Sequence, residues 1–387
     1  MMKGFFNLSH LSAGFTTVLV GYTSSVVIVI QAATASGANP AQIESWLLTL
    51  GVVMGLTSIL YSWFYKTPIV TAWSTPAAVM LAASAGQYSL PVVIGAFMFS
   101  GALFTLTGML APLTRALSKI PVPLGTAMLG AILLPFCAKA FTPLTDTPAL
   151  FALLFTSYLL AKHFVPRYTM LVLLLVSLGS ALALGSFQHA DLALRIATPI
   201  WVMPEFDWLA ILNLALPLYL ITMLSQNLPG IAMLKSYQYD APIKPILVGT
   251  GLATLMSAPF GGFSVNLAAI SAAICMNEDV DQDKAQRYRA VLWAGGFYLL
   301  AGIFAALVVN LFIALPKPIS AMLAGLALLG TLMMCLQSAF KIDEHREPAL
   351  LTFVITLSGA TLFGMSATLI GLVIGLAYLR LTTRPRP

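Results

Sequence analysis

Between Ala258 and Ile270 the chain reads APFGGFSVNLAAI. Pro259, Gly261, Gly262, Ser264 and Asn266 interrupt an apolar run that would otherwise suit one membrane-crossing helix. An earlier stretch, Thr67 to Leu81, reads TPIVTAWSTPAAVML and has the same form. In both, a β-branched or aromatic extended run leads to a polar residue and then to small helix formers. The pattern predicts a short strand followed by a half-helix, with Thr75 capping one half-helix, Pro76 at its first position, and Asn266 capping the other.

The rest of the chain explains why such breaks matter. Hydrophobic residues make up 59% of the 387 positions and charged residues 8%, a balance that leaves no charged coat for a soluble core. The apolar blocks run for about 20 residues each, the length of helix that crosses a hydrocarbon layer of about 30 Å. Spans are expected near 11–33, 43–64, 67–84, 91–112, 121–140, 147–162 and 168–186. A second set is expected near 206–229, 243–257, 260–277, 286–310, 315–338, 347–363 and 365–381. The expected fold is therefore an all-α integral membrane protein with 14 transmembrane segments. Lys3, an apolar run and AATASG (Ala32 to Gly37) imitate a secretory signal, but the repeat requires this segment and it is expected to remain as the first span.

With the N-terminus in the cytoplasm, 16 of the 19 Lys and Arg residues fall in loops on that side, and only Lys139, Arg195 and Lys317 fall outside. This bias fixes the orientation and places both termini in the cytoplasm. Seven segments per half is an odd number, so two halves of one fold (1–190 and 200–387) must be inverted relative to each other, a 7+7 inverted repeat. Thr75 and Asn266 stand 191 positions apart, and Gln31 and Gln226 stand 195 apart, as a duplicated unit predicts.

Irregular backbone at membrane depth survives only where it is buried in protein or lines a wet cavity, so two matched breaks point to a site. A helix N-terminus carries a partial charge of roughly +0.5 and free N–H groups, which suit an anion. No Arg, Lys, Asp or Glu stands well inside any span. The candidate binding residues are therefore Tyr22, Trp73, Ser74, Thr75, Gln226, Asn227, Phe263, Ser264 and Asn266, with Gln31 and Gln226 as candidates for coupling. Ser24, Ser25 and Thr71 are read as packing or back-bonding residues. Thr75 and Asn266 could cap, contact a ligand, or do both. Tyr22, Trp73, Phe260 and Phe263 are either core aromatics or ring contacts.

Other features exclude other chemistries. The basic residues are scattered and form no aromatic-interleaved patch, which argues against nucleic acid. Cys137, Cys275 and Cys335 lack any C-x-x-C spacing and are read as small buried residues. Asp279, Asp281 and Asp283 have the spacing that opens a calcium loop, but Lys284 and Ala290 stand where Gly and Glu are needed. That loop is read as a solvated joint, and no metal or cofactor is expected. No H-E-x-x-H, paired intramembrane aspartates or D-D-x-x-D supports a membrane enzyme.

The chain resembles the BenE benzoate transporter family of bacterial inner membranes through GYTSS (Gly21 to Ser25), TAWSTPAA (Thr71 to Ala78), SQNLPG (Ser225 to Gly230) and PFGGFSVNLAAI (Pro259 to Ile270). The wider fold is similar to that of nucleobase transporters and sulfate permeases. The resemblance implies a core domain (11–112 and 206–310), a gate domain (121–186 and 315–381), and proton-driven uptake of benzoate or a similar aromatic carboxylate. It also implies a homodimer through gate segments. In the nucleobase relatives carboxylates stand about where Thr222 and Val265 stand here. Their absence suits an anionic ligand, which a fixed carboxylate would repel, and it leaves proton coupling without an obvious carrier, since His10, His163, His189 and His345 all fall at span ends or in loops. The alternative is a passive channel or uniporter for organic anions on the same fold.

Overall fold

The computed structural model describes residues 7–110, 112, 120–185 and 195–382, which are mostly helical. Lys3, Arg115, Lys119, His189, Arg384 and Arg386, used above to orient the chain or to search for a proton carrier, lie outside the described residues. The first half contributes α1 (Leu8–Ala35), α2 (Pro40–Tyr65), β1 (Thr71–Trp73), α3 (Thr75–Ser84), α4 (Leu90–Met109), α5 (Val122–Lys139), α6 (Pro148–Phe164) and α7 (Thr169–Ala183). The second contributes α8 (Trp208–Ser236), α9 (Ile243–Ser257), β2 (Val265–Leu267), α10 (Ile270–Met276) and α11, which runs as Tyr288–Ile303 and, after a bend of 61°, Ala305–Ile313. It ends with α12 (Lys317–Ala339), α13 (Arg346–Ser358) and α14 (Ala367–Thr382). Among the described residues eight helices are long and apolar enough to cross a membrane, or nine if the bent pair is one span.

Local chemistry sets the helix ends. Asn39 and Gln42 form a reciprocal capping box at the start of α2. Pro40, Pro91, Pro123, Pro148 and Pro318 occupy the first or second helical positions of their helices, where a missing N–H costs nothing. At α3 the cap is Ser74, whose Oγ accepts from Ala77 N at 3.2 Å. Thr75 therefore opens the helix instead of capping it, a one-residue correction to the sequence reading. Asn266 does not cap α10. It lies in the middle of β2, where pairing with Ala72 keeps it extended, and α10 begins only at Ile270, after the strand has ended at Leu267.

The two strands pair antiparallel, Thr71 with Leu267, Ala72 with Asn266 and Trp73 with Val265. Flanking bonds from Ser74 N to Ser264 O (3.2 Å) and Ala268 N to Val70 O (2.9 Å) extend the ladder. Four N–H groups that face away from the partner strand are taken up by side chains of neighbouring helices. Ser62 and Ser58 of α2 accept from Ile69 N and Thr71 N, each at 3.0 Å. Thr254 of α9 accepts from Val265 N, and Asn227 of α8 from Leu267 N, again at 3.0 Å.

Close helix contacts brace this crossing. Gly51 and Gly55 of α2 face Gly302 and Gly295 of α11, and Gly101 of α4 faces Gly251 of α9 so closely that a Cβ would meet backbone, the small-residue packing of membrane helices. Beneath β2, Trp46, Phe97 and Phe263 form a buried aromatic cluster with ring centroids 5.3–5.9 Å apart. Gly261 has φ +93 and a Cβ there would overlap the Trp46 ring. Gly261→Ala should cost on the order of 3 kcal/mol, visible as lost monodisperse protein after heating in detergent. Gly296→Ala, where a Cβ would meet nothing within 4 Å, should be tolerated.

Candidate functional site

A cavity of about 500 Å³ opens beside the strand crossing. One wall comes from α1 (Val20, Gly21, Ser24, Ser25), β1 and α3 (Ala72, Trp73, Thr75, Pro76), α8 (Leu224, Ser225, Gln226, Pro229), and Ala268, Ala269 and Ser271. The facing wall comes from α5 and α12, chiefly Leu129, Leu133, Leu328 and Thr331. Among the described residues no Asp, Glu, Lys or Arg lines it.

Trp73 is held in place from two directions. Its Nε1 donates to Ser25 Oγ at 2.9 Å, and Ser25 Oγ donates to Gly21 O at 2.8 Å. Tyr22 packs against its ring with centroids 5.1 Å apart. The ring plane is thus held from behind by α1, and Tyr22 serves as backing instead of lining the cavity. Thr75 and Pro76, in the first turn of α3, bring that helix's N-terminal end to the cavity wall.

α8 carries two wide, π-helical turns at 211–215 and 223–227, each followed two residues later by a proline, Pro217 and Pro229. A proline ring crowds the carbonyl four residues back, and a wide turn relieves that crowding. The second wide turn separates the adjacent amides. Gln226 lines the cavity, whereas Asn227 is buried, with Oδ1 accepting from Leu267 N at 3.0 Å.

The remaining candidates lie elsewhere. Phe263 is fully buried in the aromatic cluster behind β2. Ser264 is buried at φ +42. Asn266 is buried and donates through Nδ2 to Ser264 O at 2.9 Å. None of these three lines the cavity, and Ser74 is occupied in capping. Gln31 lines a second cavity of about 880 Å³ at the other end of α1. The structure therefore brings together Trp73, Thr75 and Gln226, places Tyr22, Ser74 and Asn227 just behind them, and separates Phe263, Ser264, Asn266 and Gln31 from them. The sequence reading missed Tyr298 and Ser271, and the whole α5–α12 wall, whose apolar residues carry no distinguishing mark.

The acidic loop after α10 is more tightly built than a solvated joint. His10 is buried and its Nε2 lies 2.8 Å from Asp281 Oδ2, while Arg287 donates to Asp281 O and Met276 O. Among the described residues no group of three or more His, Cys, Asp or Glu could hold a metal ion.

A family model described as the benzoate membrane transport protein, BenE, matches residues 4–381. The chain belongs to the BenE family. It is 35% identical over 385 residues to the benzoate membrane transport protein of Acinetobacter baylyi (strain ATCC 33305 / BD413 / ADP1), covering 100% of this chain and 98% of that one. It is 40% identical over 365 residues to the inner membrane protein YdcO of Escherichia coli (strain K12), covering 94% and 93%. In fold it is similar to the transmembrane domain of the cyanobacterial bicarbonate transporter BicA (TM-score 0.63, 17% identity, 96% and 98% covered). It is likewise similar to SLC26A9 (TM-score 0.66, 14% identity, 97% of this chain and 65% of that one).

This BenE member is thus a multi-pass membrane protein of a transport family, and its four motifs all fall at the strand crossing or on the cavity wall. Asn227→Leu should remove the acceptor of Leu267 N and cost about 1–3 kcal/mol, read as a lower melting temperature in detergent. Gln226→Leu, on the cavity wall, should melt near the unaltered protein.

Proposed function

We propose that this BenE-family chain imports benzoate or a similar small aromatic carboxylate together with a proton across the bacterial inner membrane. The observation that carries this reading is the 500 Å³ cavity. Its volume suits a small ligand, an aromatic ring forms part of its wall, Gln226 and Thr75 offer hydrogen bonds, and among the described residues no fixed charge on its wall competes with a carboxylate. The names of the Acinetobacter relative and of BicA, one for benzoate and one for bicarbonate, support an anionic cargo.

The transport cycle in this reading is alternating access on a 7+7 inverted repeat, with both termini cytoplasmic. α1–α4 and α8–α11 form the core, α5–α7 and α12–α14 the gate, and gate segments supply a homodimer contact. Paired features support the repeat. The strand starts, Thr71 and Val265, stand 194 positions apart, and their N–H groups are accepted by Ser58 and Thr254, 196 apart. The packing of α2 on α11 has its counterpart in α4 on α9. The cavity lies where core and gate face each other, the position of a site exposed to each side in turn.

With no acidic side chain among the described residues of the cavity wall, proton and substrate travel in this reading as one neutral unit. The apolar surroundings push the bound carboxylate toward its acid form, and the N-terminal end of α3 stabilises what negative charge remains. Uptake of radiolabelled benzoate into right-side-out vesicles should accelerate with an inside-alkaline pH gradient and respond little to membrane potential. Electrogenic uptake of net positive charge would require a separate proton carrier, and accumulation unchanged by collapse of the pH gradient would indicate a uniporter.

Gln226→Leu should lower uptake at least tenfold, about 1.4 kcal/mol or more, in protein that folds normally, whereas Ser24→Ala should transport as before, because Ser24 Oγ is spent on Gly21 O at 3.0 Å. Purified protein should be thermally stabilised by benzoate but not by uracil, sulfate or an amino acid.

A further inference from the structure

We infer that the second cavity, of about 880 Å³, is a capture site for the organic carboxylate before it reaches the site beside Trp73, and that Lys139 draws the anion in. The inference rests on the proposed substrate and orientation, which place this cavity at the outer face. Its polar lining is different in kind from that of the first cavity and includes Gln31, Gln87, Asn213, Thr356 and Lys139. Lys139 is the only charged residue among the described residues that line it.

Lys139 is exposed, and its ammonium lies 5.6 Å from the Phe136 ring, which lines the same cavity. It forms no salt bridge among the described residues. The other two cations expected on this side are placed differently. Arg195 is paired with Glu44, and Lys317 opens α12 outside the cavity lining. One unpaired cation in a concave, low-dielectric mouth raises the local concentration of a diffusing anion, and salt weakens the effect.

The two cavities are neighbours. Ala131 and Ile132 of α5 line the second, and Leu129 and Leu133 line the first. An anion held at Lys139 therefore waits on the other face of the same helix that walls the transport site. The paired positions also differ in charge. An offset of 195, which carries the start of α5 (Val122) onto the start of α12 (Lys317), carries Lys139 onto Met334, and Met334 lines the first cavity. The attraction is thus built on one side only.

A lysine at a helix C-terminus also complements the helix dipole, so the test must separate recruitment from stability. Initial rates of radiolabelled benzoate uptake into right-side-out vesicles are compared for the unaltered protein, Lys139→Arg, Lys139→Gln and Lys139→Glu at about 10 mM and about 300 mM salt. At low salt the half-saturation concentration should rise about threefold for Gln and about tenfold for Glu, with the maximal rate retained and Arg behaving as Lys. At high salt the gap should close.

As a folding-independent check, Lys139→Cys should regain affinity on external treatment with aminoethyl methanethiosulfonate, which restores an ammonium, and not with the neutral methyl reagent. Lys139→Glu with unaltered half-saturation at low salt, or a deficit that salt does not change, overturns the capture site alone. Unaltered protein that takes up no benzoate overturns the substrate reading and the capture site with it.

Discussion

Two segments of this chain leave helical geometry inside an apolar fold, and every N–H they free must find an acceptor. In water that requirement is trivial; in hydrocarbon each failure costs several kcal/mol. The answer here is reciprocal. Residues 71–73 and 265–267 bond to each other, and the N–H groups of Ile69, Thr71, Val265 and Leu267 are accepted by Ser62, Ser58, Thr254 and Asn227. Four polar side chains on three helices thus hold a two-stranded sheet that could not exist alone in this environment. They are conspicuous in the sequence only as scattered Ser, Thr and Asn, yet the position of everything at the site depends on them.

From that crossing the cavity follows. Extended backbone at 71–73 carries Trp73 to the wall and ends against Ser74, which caps α3 and sets the helix's N-terminal end beside the ring. Ser25 holds the indole N–H, so the ring contributes a fixed surface instead of a mobile one. On α8 a wide turn at 223–227 lets neighbouring amides face different ways, one to the strand and one to the cavity. Among the described residues no charged side chain lines that wall, and under the proposed function recognition is left to shape, ring contact and a few hydrogen bonds.

Much of this was legible in the sequence, and the failures have definite causes. The breaks were visible because Pro, Gly and polar residues cluster where an apolar span should continue. The cap of α3 was displaced by one residue because Ser74 and Thr75 are both good caps ahead of Pro76, and only the bond to Ala77 N decides between them. Asn266 has the look of a cap before small helix formers, but pairing with Ala72 holds it in the strand, a long-range contact that local pattern does not encode. Phe263 and Ser264 lie just before β2, Ser264 at φ +42 and Phe263 packed with Trp46 and Phe97, and that turn and those long-range ring contacts are likewise not encoded in local pattern. The α5–α12 wall was invisible because Leu, Ala and Val facing a cavity have the same composition as Leu, Ala and Val facing lipid.

Under the proposed inverted repeat, the separation of Gln31 from Gln226 is a consequence and not an exception. An axis in the membrane plane exchanges the two sides of the fold, so side chains at equivalent positions on α1 and α8 must face opposite cavities, as Gln31 and Gln226 do. Duplication therefore yields two vestibules of related architecture, and direction must come from residues that break the symmetry. The freedom to diverge lies on the helices that wall the vestibules, where substitutions do not touch the strand ladder, and Lys139 opposite Met334 is such a divergence.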